Sequence, residues 1–170
     1  MALFLIGNGP MQTTAAFAVV TTGTAIKTLL QFKASATLVA RIVEWGISFD
    51  GSAAATPGKV ELIETDVAAT VTASVAADIT KLDGDALSCG DPTTNLIQVG
   101  TSATGYTASA EGSITSVRNL AGPQLIAPTN QFIQPFSLGQ EPVVQVGKFA
   151  RIRVTFAAAI NAYAYMKIQL

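Results

Sequence analysis

Arg151-Ile152-Arg153-Val154-Thr155-Phe156 places a large apolar side chain at every second residue without exception. A period of two marks a β-strand with one face on a core, because successive Cβ atoms of a strand point to opposite sides. The last stretch repeats the pattern: Ala162, Ala164, Met166, Ile168 and Leu170 alternate with Tyr163, Tyr165, Lys167 and Gln169. Further back, Val43, Trp45, Ile47 and Phe49 alternate with Glu44, Gly46 and Ser48, which predicts the longest strand over 39–49 and makes Trp45 a core anchor. Ile26, Thr28, Leu30 and Phe32 alternate with Lys27, Leu29, Gln31 and Lys33, a predicted strand with one wet face.

Turn residues divide what remains. Asp50-Gly51-Ser52, followed by Pro57-Gly58, predicts a chain reversal, so 39–49 and 59–65 read as a hairpin. Residues 67–79 contain Ala, which permits a helical turn, but also Thr70, Val71, Thr72 and Val75, which favour extended chain; strand and irregular loop is the expectation. Asp83-Gly84-Asp85, Gly90-Asp91-Pro92, Gly100 and Gly105 make 81–105 a long loop. Further strands are expected at 112–120, 124–126 and 131–136, each bounded by Gly or Pro. About eight or nine strands, with no helix of three turns, predict an all-β, antiparallel β-sandwich of jelly-roll-like form. Residues 1–14, broken by Gly7, Gly9 and Pro10, are expected to form an extended N-terminal arm ahead of a single sandwich domain over 15–170.

Of the 170 residues, 49% are hydrophobic and only 12% charged, about half the usual charged share. No apolar run approaches the ~20 residues of a membrane helix. A surface of Ala, Thr, Ser, Gly and Gln suits a protein covered by other subunits, which points to a homo-oligomer or a larger assembly. Ten basic and eleven acidic side chains, net charge -1, offer no footprint for a nucleic-acid backbone. Cys89 is the single cysteine, so no internal disulfide framework exists, and the apolar opening at 1–6 lacks the basic residues of a signal peptide; synthesis in a cytoplasm is expected.

The absence of histidine excludes His-based triads, His general bases and His-containing metal sites. Cys89, in Leu87-Ser88-Cys89-Gly90, has no histidine to activate it and reads as a neutral loop or partly buried thiol. Glu61 and Glu64 fall on opposite faces of a strand and read as solvated acids rather than a glycosidase pair. Asp83-Gly84-Asp85 opens like a calcium loop, but Thr94 stands where a bidentate Glu belongs. Gly7-Asn8-Gly9-Pro10 fails as a dinucleotide fingerprint, with Gln12 in place of the third glycine. No catalytic residue, metal site or cofactor is expected. The candidates for a subunit interface are Arg151 and Arg153, on the polar face of a strand and either solvated or set to meet a partner's carboxylates, and Tyr163 and Tyr165, which suit an interface or a sugar-stacking shelf with Tyr106.

Ala40-Arg41-Ile42-Val43-Glu44-Trp45-Gly46-Ile47-Ser48-Phe49-Asp50-Gly51, Gly58-Lys59-Val60-Glu61-Leu62, Gly105-Tyr106-Thr107-Ala108 and Arg151-Ile152-Arg153-Val154 together resemble the small Ala/Thr-rich β-sandwich proteins encoded among the head genes of tailed bacteriophages. The resemblance implies a decoration or cement protein on the outer capsid surface, a homo-oligomer bound to the major capsid protein, with no enzymatic role and no nucleic-acid or membrane partner. The alternative from another class is a carbohydrate- or receptor-binding jelly-roll module of a phage tail or fibre.

Overall fold

In the computed structural model, which describes residues 2–10, 19–51, 56–83 and 97–170, two antiparallel sheets enclose one main apolar core. Sheet A has the order β10 (Gln131–Pro135), β4 (Ala40–Asp50), β13 (Asn161–Gln169), β1 (Leu3–Gly7), β7 (Ile79–Lys81). Two short strands join it, β2 (Val20–Thr21) on β13 and β11 (Val143–Val144) on β4. Sheet B has the order β6 (Thr70–Ala73), β8 (Gly105–Ala110), β3 (Lys27–Lys33), β12 (Phe149–Thr155), β5 (Gly58–Thr65), β9 (Val117–Ile126). A 3-10 turn at Ala76–Asp78 links β6 to β7.

The apolar halves of the alternating patterns meet between the sheets. Trp45, Ile47, Ala164, Met166 and Ile168 of sheet A face Leu30, Phe32, Val60, Leu62, Ile152 and Val154 of sheet B, all essentially without solvent contact. Each large side chain buried this way is worth about 1.5–3 kcal/mol, so the alternation and the sandwich are one physical fact. Trp45 anchors the core as expected: its ring tilts on Phe132 at 5.2 Å between centroids, and its Nε1 donates to Gln134 Oε1 at 3.1 Å.

The all-β antiparallel sandwich stands, with thirteen strands among the described residues rather than eight or nine; the surplus is mostly strands of two to five residues. Four expectations change. Residues 3–7 are no arm but a core strand, flanked by β13 and β7, with Phe4 and Ile6 buried; residues 11–14 of the expected arm lie outside the described residues. The expected hairpin is a crossover, since β4 belongs to sheet A and β5 to sheet B. Both faces of β3 are buried, because chain covers its outer side. The runs at 112–120 and 124–126 merge into β9, which starts only at Val117 and runs through Gly122-Pro123. Of the expected loop over 81–105, residues 84–96 lie outside the described residues, as does Cys89.

Candidate functional site

Arg151 stands opposite Gln31 and Ile63 on the outward side of sheet B, yet its side chain is 0% exposed. Two segments cover it: residues 66–69, between β5 and β6, and residues 111–116, between β8 and β9. The guanidinium donates to the Val67 carbonyl, to the Glu111 carbonyl at 3.0 Å and to the Glu111 carboxylate at 3.3 Å. Gln31 donates to the Ala103 carbonyl at 2.6 Å and accepts from the Ala69 N–H at 2.7 Å. Asp66 ties the two segments together, accepting from the N–H groups of Thr115 at 3.2 Å and Ser116 at 3.1 Å and from the Thr115 hydroxyl. Those bonds hold its carboxyl down at about 2, the Thr115 side chain contributing most.

Arg151 therefore cannot meet a partner, contrary to expectation. A buried cation needs its donors satisfied, and here backbone carbonyls of the covering chain take both terminal nitrogens, while Nε has no partner among the described residues. Arg153 is also committed internally, with Nε donating to Glu61 Oε1 at 2.6 Å, while Lys59 lies 3.3 Å from the other Glu61 oxygen. Glu61 and Glu64 do lie on opposite faces of β5, but each is only 6% exposed, so neither is a solvated acid. Glu64 accepts two bonds from Arg118, at 3.1 and 2.8 Å, and one from the Gln145 N–H at 2.8 Å, joining β5 and β9 to the chain that leaves β11.

Sheet A presents a different face. Tyr165 lies in register between Gly46 on β4 and Gly7 on β1. A Cβ at Gly46 would fall 2.6 Å from Tyr165 Cε1, and one at Gly7 3.3 Å from the Tyr163 hydroxyl, so both rings extend over glycine backbone. The rings stack on each other at 6.0 Å between centroids and 24°. Tyr165 donates to Glu44 Oε1 at 2.7 Å, and Lys167 Nζ lies 2.8 Å from the same oxygen. The Lys167 bond first, then the Tyr165 bond, lowers the Glu44 carboxyl pKa; burial first, then Glu44, raises the Tyr165 phenol. Leu3 and Leu5, opposite Gln169 and Lys167, and Ile133, opposite Gly46, fall on the same outward side. The result is a partly aromatic and aliphatic face that carries the Glu44–Lys167 pair, with Asp50 and Arg41, opposite Asn161 and Gln169, on the same side.

No family model, curated protein or solved structure matches this chain. Its surfaces carry the functional argument alone. Tyr106 is on β8 in sheet B, so the expected tyrosine trio is not assembled on one face. Asp83 accepts from the Leu3 N–H at 3.1 Å and lies 3.4 Å from Lys81, a structural use of the supposed calcium-loop start; Asp85 and Thr94 lie outside the described residues. Among the described residues no group of three or more His, Cys, Asp or Glu is placed to hold a metal, and no helix is long and apolar enough to cross a membrane. An open groove between 22–27 and 108–111 contains Glu111, whose carboxylate is already engaged by the Thr28 N–H at 2.5 Å, the Thr28 hydroxyl at 2.6 Å and Arg151.

The sheet edges are poor docking templates. β7 has three residues, β6 four with a register break, β10 ends in Pro135, and β9 pairs with two register breaks and contains Pro123. Short, broken or proline-bearing edges resist strand addition. Sequence reasoning missed the Glu44–Lys167–Tyr165 cluster, which needs the β4–β13 register, and Leu138, which is 96% exposed at the tip of a turn closed by Gln140 N–H to Ser137 O at 2.8 Å. The signal for the latter was Ser137-Leu138-Gly139-Gln140, a turn sequence carrying a leucine.

Proposed function

We propose that this chain is a structural protein of a tailed-phage particle, a decoration or cement protein that binds the major capsid protein on the outside of the head and has no catalytic role. One observation supports the reading most. Seven of the ten Lys and Arg side chains pair with carboxylates of the same chain, while Leu138 and Leu125 stand 96% and 81% exposed. Charge neutralised within the chain and leucine turned outward describe a surface suited to being covered by protein. Binding only the assembled shell stabilises it by mass action, by about 2.7 kcal/mol per site at a hundred times the dissociation constant.

The test is fractionation of particles into heads and tails, followed by co-sedimentation of the purified protein with heads. The expected result is saturable binding to heads that raises their disruption temperature. Presence with tails alone, or no binding to heads, refutes it. The stacked Tyr163 and Tyr165 favour the second reading, a carbohydrate- or receptor-binding module, which a positive glycan array with loss on Tyr163→Ala would support.

A further inference from the structure

We infer that the fork between β3 and β8 is an acceptor slot, into which an extended, uncharged segment of a partner protein adds as a short strand. The inference rests on the reading of the chain as a head-binding protein, in which that segment belongs to the major capsid protein.

One strained residue makes the fork. Thr107 has φ 53, a left-handed conformation that is costly for a β-branched residue and concentrated at functional sites. Before it, β8 pairs with β3, Gly105 with Gln31 and Tyr106 with Leu30; beyond it the pairing stops. A regular ladder would go on to set Ala108 opposite Thr28 and Ala110 opposite Ile26. Instead the Glu111 carboxylate takes the Thr28 N–H at 2.5 Å and the Thr28 hydroxyl at 2.6 Å. β8 keeps its outer neighbour, with Ala110 opposite Thr70, so the edge of 108–110 that faces β3 has no strand beside it among the described residues. An open groove of about 260 Å³ fills the gap, between 22–27 and 108–111. Backbone groups on a bare strand edge must be hydrogen-bonded, and another extended backbone serves them in series.

Lining and charge select the occupant. Gly23, Ala25, Ala108, Ser109 and Ala110 are small, which lets a backbone approach closely and leaves room for its side chains. Both ionic groups are already engaged, Glu111 with Thr28 and Arg151, and Lys27 with the Thr21 carbonyl at 2.9 Å. The slot therefore offers no free charge to a phosphate backbone or a charged peptide. Its volume lies below the ~300–1,000 Å³ of a small-molecule pocket, and it does not enclose its contents. A second copy has no edge strand to give: β6, β7, β9 and β10 are short, broken in register or interrupted by proline. Leu125 and Leu138 are more exposed than Ile26 in the groove, but one lies on β9 of sheet B and the other beyond β10 of sheet A, and neither fixes a partner's geometry.

Titrating a blocked, uncharged peptide of alternating Thr and Val into the native chain reads the fork without any particle. It is expected to shift the amide signals of Ile26, Thr28, Ser109 and Ala110. The same peptide N-methylated at alternate residues keeps its side chains but loses the donors of one edge, and should bind roughly a hundredfold more weakly. Ala25→Trp and Ala110→Trp, at exposed positions in the groove, should abolish both the shifts and the co-sedimentation with heads while leaving the thermal transition in place. Absence of shifts at these four amides, or equal binding by the methylated peptide, overturns the inference. Fork signals that move with the chain's own concentration overturn it as well, by giving the slot to a second copy. Heads bound equally by the native chain and both tryptophan variants overturn it with the head-binding reading intact, whereas fork shifts without head binding refute that reading and keep the acceptor.

Discussion

At Gly46 a single methyl group would lie 2.6 Å from Tyr165 Cε1, well inside contact distance. Gly46→Ala must lift the ring and strain its bond to Glu44, and is expected to cost about 1–3 kcal/mol in urea unfolding and to alter the near-ultraviolet tyrosine signal. Gly122→Ala, where an added Cβ meets nothing within 4 Å, is the control and should stay within about 0.5 kcal/mol. Arg151 makes the larger demand. Arg151→Ala removes the donor shared by Val67 and Glu111 from a fully buried site, and should cost about 3–5 kcal/mol by the same measurement. Arg151→Lys should recover little, because an ammonium does not reproduce the planar fork. The sequence made Arg151 legible as the outward residue of a strand, and no more. Its cover comes from Val67 and Glu111, 84 and 40 residues away, and nothing local to 151–156 announces either. Tyr163 and Tyr165 were legible as an outward pair, but the glycines beneath them depend on cross-strand register.

At the scale of elements, the covering segments are joined through Asp66, and that joint is sensitive to acid. Its carboxyl is held at about 2 against an ordinary 3.8, so folding favours the charged form. The stabilisation is complete above pH 3.8 and is lost as pH falls through about 2. Protection of the Thr115 and Ser116 amides from hydrogen exchange, corrected for intrinsic rates, should therefore fall over that interval, and in Asp66→Ala it should be low at every pH. Strand existence was well legible wherever alternation ran long, as in 151–156, 162–170 and 39–49. Sheet membership was not. Turn residues after Asp50 say that the chain reverses, but Trp45 and Ile47 are satisfied equally by a neighbour in the same sheet or by Val60 and Leu62 across the core. β9 passes through Pro123 because an edge strand needs no donor on its free side, a permission that depends on topology.

Across the whole molecule, the order of strands in space departs most from their order in sequence at β13, which pairs with β4 on one side and β1 on the other. Ala2 and Leu170 exchange backbone hydrogen bonds at 2.8 and 2.9 Å, so sheet A is completed by joining segments from opposite extremes of the sequence. Such non-local pairing places folding in the millisecond-to-second range typical of sandwiches. It also concentrates risk in a few residues. Deleting Ile168, Gln169 and Leu170 removes the partners of Phe4 and Leu3 and a core isoleucine with no solvent contact. Leu5, Ile6 and Gly7 would keep Lys167, Met166 and Tyr165 as partners, but the start of β1 would be left to the three-residue β7, too short by itself to keep Phe4 buried. The isoleucine alone is worth about 2–5 kcal/mol and the total stability of a domain only about 5–15 kcal/mol. The shortened chain should lose its cooperative thermal transition and the near-ultraviolet signal of Trp45 while binding a hydrophobic dye. A cooperative melt within a few degrees of the intact protein would mean that β1 is dispensable to the core and that residues 3–7 behave as an arm after all.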